Sequence, residues 1–136
     1  MGTVLNEVEA GLYGKLAAGT ALTALLGGTL IYNGLAPQGR ALPFVLFNQQ
    51  SGVSDNLTPT RSEDFLYQVK GLSASGMAAA GSIASAIDTL LHNTTITVSG
   101  WINYSCRRER HVRYEETESG ERVCHAGAVY RIRISQ

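Results

Sequence analysis

The chain has 136 residues and a formal net charge of zero, and 44% of its residues are hydrophobic against 16% charged. This length suits one domain with a real core, and the composition excludes a disordered chain and a membrane-embedded bundle. A neutral chain is also not a nucleic-acid binder held by bulk charge.

The N-terminal part of the chain carries a helical pattern. Apolar side chains recur at helical spacing from Val4 to Leu26, which predicts a helix. Thr20 is positioned to cap a second, short helical piece that stops at the glycines after Leu26. Residues 16–39 contain no charged side chain, but glycine and proline interrupt the run. We therefore predict a buried helix followed by a strand rather than a membrane span.

The middle of the chain predicts three strands and another helix. Residues 29–32 form a short strand, and after a turn-rich loop residues 43–50 form a strand that is entered through a proline. A polar loop, 51–62, leads to the alternating strand 63–73. A helix is predicted within 73–92, where small residues allow close packing against a sheet or another helix. Its apolar stripe consists of Met77, Ala80, Ile83, Ile87 and Leu90.

The last forty residues predict a long β-hairpin, in which 94–116 pairs with 121–135. One face is predicted to carry Ile102, Tyr104, Cys106, Val112, Tyr114, Ala126, Ala128, Tyr130, Ile132 and Ile134. The opposite face is predicted to carry Arg107, Glu109, His111, Arg113, Val129, Arg131 and Arg133. Arg108 and Arg110 interrupt the alternation, which predicts a bulge or a departure from the core.

These elements follow one another as helix, strand, strand, strand, helix, strand, strand. The order predicts an α+β fold, with a single domain over 1–136. We expect a largely antiparallel sheet, two helices packed on one of its faces, and the long C-terminal β-hairpin.

The sequence contains no recognisable catalytic or cofactor motif. It has no Gly-x-Ser-x-Gly elbow, no phosphate-binding loop and no dinucleotide fingerprint. The soft metal ligands of the hairpin are Cys106, His111, Cys124 and His125. Adjacent residues of a strand point to opposite faces, so the last two do not chelate one ion easily. We therefore predict no catalytic residue, no metal and no cofactor, with Cys106 in the core and Cys124 as a strand-end thiol.

Basic side chains are concentrated in the last quarter of the chain. Residues 1–100 hold four Lys or Arg against six Asp or Glu, whereas residues 101–136 hold seven against five. The segment 107–113 is the strongest basic patch, but it lacks the interleaved aromatic residues of a single-strand binding platform. A subunit interface, a solvated face and a small nucleic-acid-associated protein that uses this segment all remain open here.

Two groups of residues resemble a known family. They are Leu22, Leu25, Ile31, Tyr32, Pro37, Pro43, Phe44 and Val45 near the start, and His125, Gly127, Tyr130, Arg131 and Ile132 near the end. In this pattern and in the order of its elements, the chain resembles the tail-completion, or tail terminator, proteins of long-tailed bacteriophages. The resemblance covers nearly the whole chain.

The resemblance implies a structural virion protein, not an enzyme, that is assembled in the host cytoplasm and lies at the head-proximal end of the tail. It implies a hexameric ring that caps the tail tube, stops its polymerisation and joins the tail to the head. Partners would be the major tail tube protein and the head-completion protein, with DNA passing through the bore without sequence-specific binding and no membrane contact. An alternative is another neck or minor tail component. The candidate interface residues are Arg107, Arg108, Arg110, Arg113, Arg131 and Arg133.

Overall fold

The computed structural model describes residues 3–55, 61–118 and 120–136 of the chain. Its helices are α1 (Leu5–Ala17), α2 (Thr20–Leu26) and α3 (Met77–Leu91). Its strands are β1 (Ile31–Asn33), β2 (Phe44–Asp55), β3 (Ser62–Ser73), β4 (Ile102–Glu118) and β5 (Glu121–Ser135). They form one sheet in the order β1-β2-β3-β5-β4. The α+β class is therefore confirmed.

The described residues contain three helices rather than the two that we predicted. The first helical stretch divides because Gly19 adopts an extended conformation between α1 and α2. Leu12, Leu16 and Leu22 are nevertheless fully buried in the same core. The short second helix ends at Gly27, whose positive φ of 79° is accessible to glycine at little cost.

The sheet is mixed, which corrects the expectation of antiparallel pairing at one edge. β1 pairs with β2 in parallel, with Ile31 opposite Val45, whereas β2–β3, β3–β5 and β4–β5 are antiparallel. The turn-rich loop of residues 34–43 carries the chain back along the sheet before β2 begins. The two neighbouring strands consequently run in the same direction.

Strand β2 is longer than the sequence predicted. It continues to Asp55, and β3 begins at Ser62. Six of the seven described residues of the predicted loop 51–62 are therefore strand, and residues 56–60 lie outside the described part. A register shift between Gln49 and Ser51 precedes this extension, in which the side chains are exposed. These residues are polar because this part of the sheet extends past the core into solvent. Their polarity led to the prediction of a loop.

Helix α3 packs closely on the sheet through small residues. Ala80 is fully buried and lies in a cluster with Cys124 and Ala126 of β5. A Cβ atom on Gly71 of β3 would lie 2.3 Å from the side chain of Ile83, so the helix depends on glycine at that contact. The predicted stripe is confirmed at its centre. The last buried position is Leu91 rather than Leu90.

Residues 94–101, between α3 and β4, were predicted to begin the long strand but are not strand in the structure. Ile96 and Val98 are buried against the helices, but the backbone N–H of Ile96 donates to Asn103 Oδ1 at 2.8 Å instead of to a neighbouring strand. Helix α1 lies so near that a Cβ on Gly11 would be 2.2 Å from the carbonyl oxygen of Thr97. The alternation of buried side chains in this segment therefore comes from packing against a helix and not from pairing in the sheet.

Among the helices that the structure describes, none has the length and apolarity that crossing a membrane requires. The uncharged run 16–39 is divided between the end of α1, α2, β1 and the loop that follows.

Candidate assembly surface on the C-terminal hairpin

Strand β5 has the faces that the sequence predicted. Tyr130, Ile132 and Ile134 are at most 1% exposed and pack in the main core, on the side of the sheet that the helices cover. Arg131 and Arg133 lie on the other face, which we call the outer face. Because β5 lies between β3 and β4, both its edges are paired, and its alternation is not interrupted.

Strand β4 has different faces from those predicted, because two bulges shift its register. The first lies between Asn103 and Ser105. It leaves Ile102 64% and Tyr104 55% exposed, while Asn103 is buried in their place. The Asn103 side chain is satisfied there, since its Nδ2 donates to the carbonyl oxygens of Ser105 and Arg133, both at 2.9 Å.

The second bulge lies between Arg108 and Arg110, where the sequence predicted an interruption. Beyond it every side chain changes face. Val112 and Tyr114 lie opposite Gly127 and His125 on the outer face, and not with Cys106 in the core. His111 and Arg113 lie opposite Ala128 and Ala126, on the side of helix α3. Their predicted positions were therefore wrong.

Three of the six candidate arginines form ion pairs within the chain. Arg131 Nη1 donates to Asp64 Oδ2 at 2.8 Å, and its Nε donates to Glu109. Arg133 Nε reaches the same Asp64 oxygen at 3.3 Å. Asp64 lies directly opposite Arg133 across the β3–β5 pair. The sequence did not reveal this partner, because no strand order was available to place it.

The third paired arginine, Arg108, belongs to a network beneath helix α3. Its Nη1 donates to Asp88 Oδ2 at 2.7 Å, and Tyr130 OH donates to Asp88 Oδ1 at 2.8 Å. Burial raises the pKa of Asp88, but the hydrogen bonds from these two donors outweigh it and hold the pKa below its usual value. Asp88 is therefore a carboxylate that joins α3 to β4 and β5.

Arg107, Arg110 and Arg113 are exposed, and no ion pair joins them to any residue in the described ranges. We call these three residues the basic strip. Arg107 and Arg110 lie opposite Arg131 and Val129 on the outer face, whereas Arg113 lies on the helix side.

A groove of about 250 Å³ lies between α3 and β4 next to the strip, and Arg108, His111 and Arg113 contribute to its wall. The Arg113 guanidinium approaches the backbone of α3 where Gly81 has no side chain, because a Cβ there would lie 2.8 Å from Nη2. Whether an arginine forms an ion pair thus depends on its neighbours in space. The spacing of the arginines along the sequence does not reveal those neighbours.

The end of the hairpin projects past the rest of the sheet. Ser73, the last residue of β3, pairs with Cys124, which in turn pairs with Glu115. Beyond this level Glu116, Thr117 and Glu118 of β4 pair only with β5, and no third strand lies beside these pairs in the described part. We call residues 115–118 and 120–122 the acidic arm. The arm contains four glutamates and one arginine, a formal charge of −3. Arg122 Nη2 donates to Glu115 Oε1 at 2.7 Å.

The base of the acidic arm is held by a cluster on the outer face. The ring of Tyr114 stacks on that of His125 with centroids 4.3 Å apart, and Lys70 Nζ donates to Tyr114 OH at 2.6 Å. His125 is 3% exposed, and its Nε2 lies 2.7 Å from Glu116 Oε1. The sequence did not reveal this cluster, because its alternation predicted Tyr114 on the core face.

The cysteines and histidines do not form a site in the part of the chain that the structure describes. No three His, Cys, Asp or Glu residues of that part are placed to hold a metal ion. Cys106 is in the core as predicted, and burial raises the pKa of its thiol to about 12. Cys124, predicted as a strand-end thiol, is the fourth residue of β5 and is fully buried. His92 follows α3, and its Nδ1 accepts the backbone N–H of Arg108 at 3.0 Å.

The sequence matches a family model described as "Tail completion protein gp17" over residues 10–135. No curated protein matches it. A chain from the solved virion of a native gene transfer agent particle is similar, with a TM-score of 0.84 at 19% identity over 100% of both chains. A second solved structure has a TM-score of 0.60 at 15% identity over 96% of both chains. These two likenesses show the fold.

Proposed function

We propose a terminator role for this chain, which belongs to the tail completion protein gp17 family and is a structural protein of the bacteriophage virion. In this role, copies of the chain form a ring on the head-proximal end of the tail tube. The ring stops polymerisation of the tube and gives the head-completion protein a surface to bind. DNA passes through its bore without being read in sequence.

The observation that carries this proposal, beyond the family, is that the sheet ends in two unlike open edges. At one end, β4 has no further strand beside it among the described residues. At the other end, β1 covers only residues 45–47 of β2, and residues 48–55 have no strand neighbour in the described part on the side opposite β3. Open strand edges favour association with another chain. Two different patches that bind each other form a heterologous interface, which generates a ring when the rotation closes.

The charge distribution fits a ring through which DNA passes better than it fits a sequence-specific DNA-binding protein. The chain is neutral overall, and residues 107–113 are divided between the two faces of an edge strand instead of forming one continuous basic surface. Arg108 is already paired with Asp88. Contacts between basic side chains and phosphates would hold DNA of any sequence. A ring that is neutral overall makes few such contacts, so the DNA can slide through it. The hexameric count comes from the family resemblance.

The proposal is tested in a phage whose gene for this chain is deleted. Electron microscopy of the lysate should show tails of irregular length that are not joined to heads, and the wild-type gene supplied in trans should restore uniform, joined tails. Antibody labelling of complemented virions should mark only the head-proximal end. Uniform tails without the chain, or label elsewhere along the tail, would favour another neck or minor tail component.

A further inference from the structure

The two ends of the β4–β5 hairpin carry opposite charge. The basic strip holds three unpaired guanidinium groups, and the acidic arm has a formal charge of −3. Within the arm, only Arg122 offsets the four carboxylates, and it is paired with Glu115. Each region therefore has charge that the described part of its own chain does not neutralise.

The acidic arm does not neutralise the basic strip of its own chain. The arm continues the same strand that carries the strip, and a strand advances about 3.3 Å per residue. Residue 118 is eight positions from Arg110, so the tip of the arm lies roughly 26 Å away along β4. Glu115, at the base of the arm, is two residues from Arg113, but no ion pair joins arm and strip in the described ranges. A straight hairpin does not bring the tip of the arm back to Arg107 and Arg110, so contact between the tip and these two residues requires a second copy.

The basic strip has the form of a receptor for an extended acidic segment. Arg107 and Arg110 lie on the outer face and Arg113 lies on the helix side. Next to Arg107 the edge of β4 is already occupied, because the carbonyl oxygen of Cys106 accepts the backbone N–H of Asn93 and the N–H of Arg108 donates to His92 Nδ1. Beyond Arg108 the edge is open, and Arg110 and Arg113 flank it from both sides. A strand that approaches this edge is contacted by guanidinium groups above and below. Arginine binds carboxylates in a planar, two-pronged geometry, which suits glutamates on an incoming hairpin.

The acidic arm has the form of the corresponding ligand. Its described side chains are exposed, and an isolated two-stranded hairpin is only marginally stable in water. The cluster of Lys70, Tyr114 and His125 fixes its base to the sheet. The arm therefore projects in a defined direction but has no packing partner beyond that base in the described chain.

We propose that the acidic arm of one copy docks on the basic strip of the next copy around the ring. The partner is a second copy of this chain because the two patches occur together on every copy, with charges of equal size and opposite sign. They are different patches, so the contact is heterologous and each copy uses both. This inference rests on the proposed ring and specifies the residues that close it.

The test is charge reversal of each patch, with native mass spectrometry of the purified full chain alone and with purified tail tubes. The arm variant is E115K/E121K, and the strip variant is R107E/R110E. K15E/R40E changes the net charge as much as the strip variant, but at positions outside both patches. Circular dichroism establishes that each variant is folded.

We expect each patch variant alone to lose ring formation by about tenfold or more in association constant, because like charges in an interface cost several kcal/mol. The control variant should form rings like the wild type. An equal mixture of the arm variant and the strip variant should recover rings, since each variant supplies the complement of the other. If reversal unfolds the chain, R107Q/R110Q and E115Q/E121Q should weaken the ring and reduce its sensitivity to salt.

Two results would overturn the inference while leaving the ring intact: normal rings from both patch variants, or a folded mixture that forms no ring. A wild-type chain that stays monomeric both alone and on tail tubes would instead contradict the proposed function, and the docking would be rejected with it.

Discussion

Strands β4 and β5 form one antiparallel hairpin, yet they differ in their neighbours and in the regularity of their faces. β5 has a strand on both sides, alternates without a break and buries Tyr130, Ile132 and Ile134. β4 has one neighbouring strand, two bulges and the unpaired basic strip. Bulges twist an edge strand and re-aim its side chains. The comparison indicates that β5 maintains the fold, whereas β4 is available for contacts with other molecules.

The largest contrast should come from the same substitution in each strand. Ile132 is fully buried in β5, whereas Ile102 in β4 is 64% exposed. Ile132→Ala should lower the free energy of unfolding by about 2–5 kcal/mol, because it leaves a cavity in the core. Ile102→Ala should stay within about 0.5 kcal/mol of wild type, as exposed substitutions do. Urea denaturation measures both, and equal losses would mean that the two strands share the core.

A smaller effect is expected where helix α3 rests on β5. Ala80 is fully buried, and replacing it with Leu should destabilise the chain by about 1–3 kcal/mol through overpacking against Ala126. Ala78→Leu in the exposed part of the same helix is the matched control and should be nearly neutral. Thermal melts followed by circular dichroism compare them. An Ala80→Leu variant as stable as its control would show that the helix does not depend on close approach.

The Asp88 network joins the two strands to the same helix. Asp88→Ala should cost about 1–3 kcal/mol, because the buried hydroxyl of Tyr130 then lacks an acceptor. Adding Tyr130→Phe should reduce the loss, since the orphaned donor is removed with its acceptor. Urea denaturation of the single and double variants measures this recovery. A double variant that loses the sum of both single effects would argue against the hydrogen bond.

The same network predicts a pH dependence. The pKa of Asp88 is depressed in the folded chain, so its contribution is present above the unfolded-state value of 3.8 and is lost as the pH falls through the folded-state pKa. The stability difference between wild type and Asp88→Ala should therefore be constant near neutral pH and shrink below pH 3.8. Denaturation curves at several acidic pH values test this. A difference that grows in acid would reverse the sign of the assigned shift.

The smallest effects separate the paired from the unpaired arginines. Neutralising Arg131 and Arg133 with Gln should lower the free energy of unfolding by less than about 1 kcal/mol for each ion pair, because these side chains are partly exposed. R107Q/R110Q should leave the free energy of unfolding unchanged, since these residues have no ion pair in the described chain. Chemical denaturation at low salt gives the best chance of resolving the difference. Greater destabilisation by R107Q/R110Q would contradict the division.

The sequence was informative where one physical rule acted alone. Alternation along β5 predicted Tyr130, Ile132 and Ile134 in the core because a doubly paired strand keeps its period, and helical spacing predicted Ile83 and Ile87 in α3. The same alternation gave the wrong faces for β4, because the position of a bulge depends on partners that are distant in the chain. His92 accepts the backbone N–H of Arg108 and Asn103 replaces Tyr104 in the interior. The pairing of Arg131 with Asp64 likewise required the strand order.

Amide hydrogen exchange on the free and the assembled chain tests most directly whether β4 makes the contacts while β5 maintains the fold. The amides of β5 should be protected in both states, whereas residues 110–117 of β4 should exchange readily at their open edge when free and gain protection on assembly. Protection gained only elsewhere, for instance at the loop of residues 34–43, with no change in β4, would contradict this expectation.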